Sequence, residues 1–169
     1  VSKCARNAVI ERDGVASGQV HVVPLALSAT HVAAAGSDET DRVRDRVGRA
    51  FLLYVGALAP YKNIDRVLVA LARREMRQRA LALVCIGLDQ WGYGGRLREL
   101  ANALGLGDVV HFLPTVAHDE LGAWYAAAEA LVLLSDCEAF PLTPFEAMAQ
   151  GTPVIASNLS SVPEIVGDA

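Results

Sequence analysis

The sequence predicts an α/β fold, a parallel sheet assembled from repeated strand–helix units, and three observations carry that prediction. From residue 51 onward, short apolar or β-branched runs alternate with longer amphipathic stretches, the signature of βα repeats. The runs are almost continuously apolar, as expected of strands covered on both faces. A chain of 169 residues that is 53% hydrophobic and 20% charged can bury a core, which excludes a disordered tail or a low-complexity linker. That length allows one ordinary domain, or one domain with a piece of another.

The first fifty residues do not fit the repeat. Residues 2–12 read as a short helix, Q-V-H-V-V at 19–23 as a strand, and 24–36 as a linker of small residues. Residues 38–47 are charged, with Val43 and Val47 four apart, so a solvated surface helix is expected there. Strands then follow at 51–55, 81–86, 109–112, 130–134 and 153–156, and helices at about 63–79, 93–104, 118–128, 143–150 and 161–167. Asn63 and Asp119 stand where a side-chain oxygen would cap the first and third of these helices. In such a sheet the strand C-termini face the helix N-termini along one edge, where unpaired amides and the helix dipole favour anionic ligands.

Charge and cysteine content narrow the function. A net charge of -4 argues against a general nucleic-acid binder, which needs clustered Lys and Arg to displace counterions. No uninterrupted apolar run reaches the ~18 residues of a membrane span, and no basic-then-apolar leader is present. With Val1 rather than Met at the start, the chain reads as an excised or truncated cytosolic protein. Its three cysteines, Cys4, Cys85 and Cys137, lack C-x-x-C spacing, which supports neither a disulfide framework nor a zinc knuckle, and the sequon at Asn158 stands alone. The four histidines, His21, His31, His111 and His118, are scattered without ligand spacing.

Chemistry gathers after the fourth strand. In S-D-C-E-A-F-P-L-T-P-F-E-A-M-A-Q-G-T-P, from Ser135 to Pro153, Glu138 and Glu146 bracket a proline-containing turn that leads into a helix. Carboxylates there can accept from sugar or ribose hydroxyls, while amides around Leu142 and Thr143 can donate to phosphate oxygens. Glu146 has a second reading, since T-P-F-E matches a capping box with Thr143 as N-cap and Pro144 at the first helical position. Glu138, in a loop after a buried strand, is either a ligand group or a solvated carboxylate. After the first strand, Gly56 permits a tight exit, and Lys62 stands before a helix N-terminus where its ammonium can join free amides in holding a diphosphate; a solvated loop lysine is the alternative. There is no P-loop motif, and Gly92, Gly94 and Gly95 read as a loop rather than a dinucleotide fingerprint. Asp136 and Glu138 alone make a weak metal site, so no metal is expected.

With these groups in view, residues 51–169 resemble the C-terminal, donor-binding domain of family 4 glycosyltransferases of the GT-B fold. The best mark is the Glu138/Glu146 pair within E-A-F-P-L-T-P-F-E-A-M-A-Q-G-T-P-V-I-A-S. Y-V-G-A-L-A-P-Y-K-N at 54–63, W-Y-A-A-A-E-A before the fourth strand and S-S-V-P-E-I-V-G-D-A at the end support it. The resemblance implies a Rossmann-like sheet with helices on both faces. It makes residues 1–23 a remnant of a preceding acceptor-binding domain and 24–50 a linker, with 51–169 a nucleotide-sugar-binding unit lacking its last strand and helix. It further implies a retaining transferase that moves a sugar from a nucleotide-sugar, GDP-mannose or a UDP-sugar, to a hydroxyl acceptor without a metal or other cofactor. The expected partners are that donor and the preceding domain, with no nucleic acid; membrane contact would come only through absent parts.

By position, the resemblance gives Lys62 the departing diphosphate, Glu138 the donor-sugar hydroxyls and Glu146 the ribose. Gly56 and the backbone of Ala139, Phe140, Leu142 and Thr143 would line the phosphates and sugar, and the 111–116 segment, with Leu113 and Val116, would border the base. This sequence departs from the pattern at Ala57, where many members carry an arginine, and at Ala139 and Pro141, which replace glycines; Pro141 has no N–H to donate. An epimerase or phosphorylase of the same fold, and a non-catalytic nucleotide-binding or interaction domain, are the alternative readings.

Overall fold

The computed structural model describes residues 1–28 and 33–167. Helix α1 (Lys3–Asp13), a single 3-10 turn (Ser17–Gln19) and helix α2 (Ser37–Val47) precede the sheet. Strands β1 (Phe51–Val55), β2 (Ala82–Ile86), β3 (Val110–Leu113), β4 (Ala130–Leu133) and β5 (Val154–Ala156) then alternate with α3 (Ile64–Leu71), α4 (Arg74–Arg77), α5 (Tyr93–Ala103), α6 (Leu121–Ala127), α7 (Thr143–Ala149) and α8 (Pro163–Val166). All pairings are parallel and the order is β3-β2-β1-β4-β5, a Rossmann-like arrangement.

Alternation along β1 shows how the sheet is covered. Leu52 and Tyr54 face one layer with Ile64, Val67, Leu68 and Leu71 of α3 and Leu97 and Ala101 of α5. Phe51 and Leu53 face the other, with Val43 of α2, Ala123, Trp124 and Tyr125 of α6 and Ala147 of α7. Helices therefore lie on both faces. The spacing of the buried residues of α3 is that of one helical stripe. Trp124 meets the Phe51 ring edge-on at 6.2 Å between centroids, and the Arg46 guanidinium lies 5.3 Å from the Trp124 ring.

Several expectations change. Residues 19–23 are not a strand: no sheet edge pairs with them, and the Arg6 side chain instead donates to the carbonyls of Ser17 and Val20. The helix over 38–47 is only partly solvated, because Thr40 and Val43 are buried and α2 packs on α6. The stretch 63–79 breaks after Leu71, where its apolar stripe ends, and Arg73 takes an extended conformation before α4. Gly94 and Gly95 lie in the first turn of α5 rather than in a loop, with the Gly94 amide donating to Asp89. The helix expected from 118 begins at Leu121, and Asp119 does not cap it. Strand β5, at the sheet edge, is not covered on both faces: Ile155 is 49% exposed. His31 and the last two residues of V-G-D-A lie outside the described residues.

Candidate functional site

The order β3-β2-β1-β4-β5 places its topological switch between β1 and β4, where consecutive connections leave in opposite directions and the loops after the two strands open a crevice. Lys62 follows β1 and Glu138 follows β4. They are 76 positions apart, yet Lys62 Nζ meets Glu138 Oε1 at 2.5 Å. Each side chain is only 12% exposed, so the alternatives of a solvated lysine and a solvated carboxylate both fall.

The two loops are stitched together independently of that pair. Asn63 Nδ2 donates to the Leu134 carbonyl at 2.8 Å and to Asp136 Oδ1 at 2.7 Å, and the Asp136 amide donates to the Tyr61 carbonyl at 2.9 Å. Asn63 therefore does not cap α3 with its side chain. It adopts a left-handed conformation (φ 55°), which asparagine tolerates, and turns its amide across the switch point. With Asp136 bonded to Asn63 and Glu138 to Lys62, no group of three or more His, Cys, Asp or Glu among the described residues is placed to hold a metal ion.

Glu138 is held through its backbone as well. Ser160 Oγ accepts from the Glu138 amide at 3.1 Å and donates to the Glu138 carbonyl at 2.7 Å, and Ser161 Oγ donates to the same carbonyl at 2.8 Å. Ser2 Oγ, at the start of α1, donates to the Ala139 carbonyl at 2.7 Å. The β4–α7 loop is thus fixed from three sides, and its Glu138 and Ala139 carbonyls face serine hydroxyls. The rings of Phe140 and Phe145 pack 5.8 Å apart, and Pro141 is buried.

Glu146 lies in the first turn of α7, but not in a capping box. Leu142 is the N-cap, Thr143 and Pro144 are already helical, and no side chain caps the helix. Instead, the buried Tyr125 hydroxyl donates to Glu146 Oε2 at 2.6 Å. Burial first, and then the Glu146 charge, push the Tyr125 hydroxyl well above its usual range, so it stays a donor. Glu146 lines a cavity of about 350 Å³ together with Ala33, Ala34, Ala35, Glu39, His118 and Tyr125.

A second cavity of about 450 Å³ runs over the strand ends. Gly56, Ala57, Gly87, Thr115, Val116 and His118 line it. Two glycines let the exits of β1 and β2 cross closely beneath it. Gly56 has φ 149° and would bring a Cβ to 3.0 Å from the Tyr54 hydroxyl; a Cβ on Gly87 would lie 1.8 Å from the Gly56 carbonyl oxygen. Tyr54 braces the turn by donating to the Ala57 carbonyl at 2.8 Å. Gly56, expected at the phosphates and sugar, and Val116, expected at the base, line this one cavity. Leu113 does not line it; it packs toward the second core layer and borders a separate cleft with His111 and Phe112. His118 lines both cavities, a position that scattered histidines in a sequence do not disclose. Ser2, Ser160, Ser161 and Tyr125 carry no site role in the sequence pattern; only the topology brings Ser160 and Ser161 to Glu138, Tyr125 to Glu146 and Ser2 to Ala139.

The strand order puts this chain among the Rossmann-like α/β proteins, an architecture whose usual ligand crevice lies at the carboxyl ends of the strands. Within that class it belongs to the glycosyl transferases group 1 family, whose pattern matches residues 37–169. It is 30% identical over 167 residues to the MMP alpha-(1->4)-mannosyltransferase of Mycolicibacterium hassiacum, covering 99% of this chain and 38% of that protein. It is 38% identical over 123 residues to the D-inositol 3-phosphate glycosyltransferase of Streptomyces scabiei, covering 69% of this chain and 28% of that protein. The chain thus spans well under half of either relative. Among solved structures, Anabaena Alr3699/HepE in complex with UDP and glucose superposes with a TM-score of 0.86 at 22% identity, covering 98% of this chain and 45% of that one. Among the described residues no helix is long and apolar enough to cross a membrane.

Proposed function

We propose that this chain is the donor-binding unit of a retaining, GT-B-type glycosyltransferase of family 4, transferring a hexosyl group from a nucleotide-sugar to a hydroxyl acceptor. The observation that carries the reading is the Lys62–Glu138 pair at the switch point, in a member of a glycosyl transferase family. Lys62 is the cation for the donor diphosphate. As the sugar departs, charge grows on the diphosphate oxygens, and a pre-placed ammonium in a poorly solvated crevice stabilises that charge without a metal ion. Glu138 accepts from sugar hydroxyls and Glu146 from the ribose, with Tyr125 orienting the latter carboxylate. The groove over Gly56 and Val116 takes the base end of the donor.

The mannosyltransferase among the relatives and the UDP and glucose in the Anabaena structure support a nucleoside diphosphate hexose as donor, GDP-mannose or a UDP-sugar. Residues 1–23 are read as the end of a preceding acceptor-binding domain, without which this unit binds donor but does not turn over. Titration calorimetry of the chain against UDP, GDP and their hexose conjugates tests the reading. Heat from at least one conjugate is expected; silence from all of them at millimolar concentration overturns it.

A further inference from the structure

The two groups assigned to different parts of the donor are bonded to each other. The ammonium of Lys62 and the carboxylate of Glu138 meet at 2.5 Å with each side chain 12% exposed, so neither charge is hydrated as it would be in bulk water. Backbone movement of Glu138 is restrained by Ser160 and Ser161, which engage its amide and carbonyl at 3.1, 2.7 and 2.8 Å. The carboxylate therefore remains near the site when another anion approaches Lys62.

We propose that Glu138 is a built-in counter-anion that makes the site discriminate between an intact nucleotide-sugar and the bare nucleoside diphosphate. The inference rests on the donor-site reading above. A bare diphosphate that reaches Lys62 displaces Glu138 and leaves a largely buried carboxylate, which can only accept hydrogen bonds, without a partner. An intact donor brings sugar hydroxyls that donate to that carboxylate while its phosphates occupy Lys62. Both ligands part Lys62 from Glu138, but only the conjugate gives the carboxylate new partners, so the pair opposes the sugar-free nucleotide more strongly. After transfer the same carboxylate competes with the product for Lys62 and favours its release.

Calorimetry on the whole chain separates the outcomes, with UDP, GDP and their hexose conjugates as probes. Glu138→Gln keeps the shape and removes the charge; it is expected to tighten binding of the bare diphosphate by about 3–10-fold without tightening the conjugate, so the preference for the conjugate collapses. Unchanged or weaker diphosphate binding overturns the proposal. The gain is expected to vanish when Lys62→Gln is added, and its persistence there also overturns it, because the effect would not run through the lysine. If Glu138→Gln proves unfolded by thermal melting, Glu138→Asp, which withdraws the charge by one methylene, is expected to move the ratio in the same direction by a smaller factor; no movement overturns the proposal. A wild-type chain that binds none of the probes overturns the donor-site reading and this inference with it. Binding by the wild type with no change in the variants overturns the inference alone.

Discussion

Glu146 shows how a single side chain can look like a cap and be held by something else. The T-P-F-E pattern suits a capping box, but the helix begins one residue earlier, with Leu142 as N-cap, and the carboxylate turns to Tyr125. We predict that Glu146→Gln lowers affinity for a nucleotide-sugar by about 1–3 kcal/mol, through loss of a charge-assisted acceptor, with little change in melting temperature. Equal affinity of the two proteins would separate Glu146 from the donor. Tyr125→Phe leaves the packed ring in place and removes only the donor at 2.6 Å from Glu146. Its expected signature is a smaller loss of affinity confined to ligands that carry the ribose, measured against inorganic diphosphate as the control.

Among the elements, α1 is the one whose docking the sequence pattern left open. Its first turn sets the amides of Lys3 and Cys4 against the Glu164 carboxylate, both at 2.8 Å, while Ser2 reaches the Ala139 carbonyl. A carboxylate at a helix N-terminus satisfies donors that the helix itself cannot, and complements its dipole. The Lys3 amide is the main reason that the Glu164 carboxyl lies below the ordinary carboxylate range. A depressed value in the folded state means that this docking is fully present above the unfolded-state value and is lost as pH falls through the lowered one. The protection of the Lys3 and Cys4 amides, their hydrogen exchange taken relative to the intrinsic rate at each pH, should therefore fall on acidification. The step should be absent in Glu164→Gln, and an identical pH profile in that variant would show that Glu164 does not hold α1. The close crossing of the β1 and β2 exits gives a second test at this scale. Gly87→Ala places a methyl group 1.8 Å from the Gly56 carbonyl oxygen, and the expected result is a lowered melting temperature together with a disturbed groove; a wild-type melt would contradict the crossing.

Across the molecule, the sheet was legible because its strands are written as apolar runs, and all five fall within a residue or so of where those runs predict. Central strands are the most constrained, and Leu131 on β4, 1% exposed, is the place to test it: Leu131→Ala should lower stability by about 2–5 kcal/mol in denaturant unfolding, as deletion of a packed core side chain does. Turn and cap detail was less legible. Asn63 satisfies every sequence rule for a cap, yet its amide is claimed by Leu134 and Asp136 across the switch point, contacts that no local pattern encodes. The 19–23 segment alternates like a strand, but a strand needs a neighbour, and here the Val20 carbonyl accepts from the Arg6 side chain instead. Of the candidate site, Lys62 and the two glutamates are singled out by the sequence pattern; the Lys62–Glu138 contact, the serines at Glu138 and the tyrosine at Glu146 required the strand order.

That strand order also sets a sequence of assembly. Strands β1, β2 and β3 pair with their neighbours along the chain, whereas β4 must return past all of them to lie beside β1. Loop-closure entropy makes such a distant pairing the slower one. A partly folded chain with its first three strands in place would have a hydrophobic sheet and Lys62, but no carboxylate opposite it. Any ligand site that needs both Lys62 and Glu138 is consequently a property of the finished sheet, and in refolding it would form only as β4 arrives.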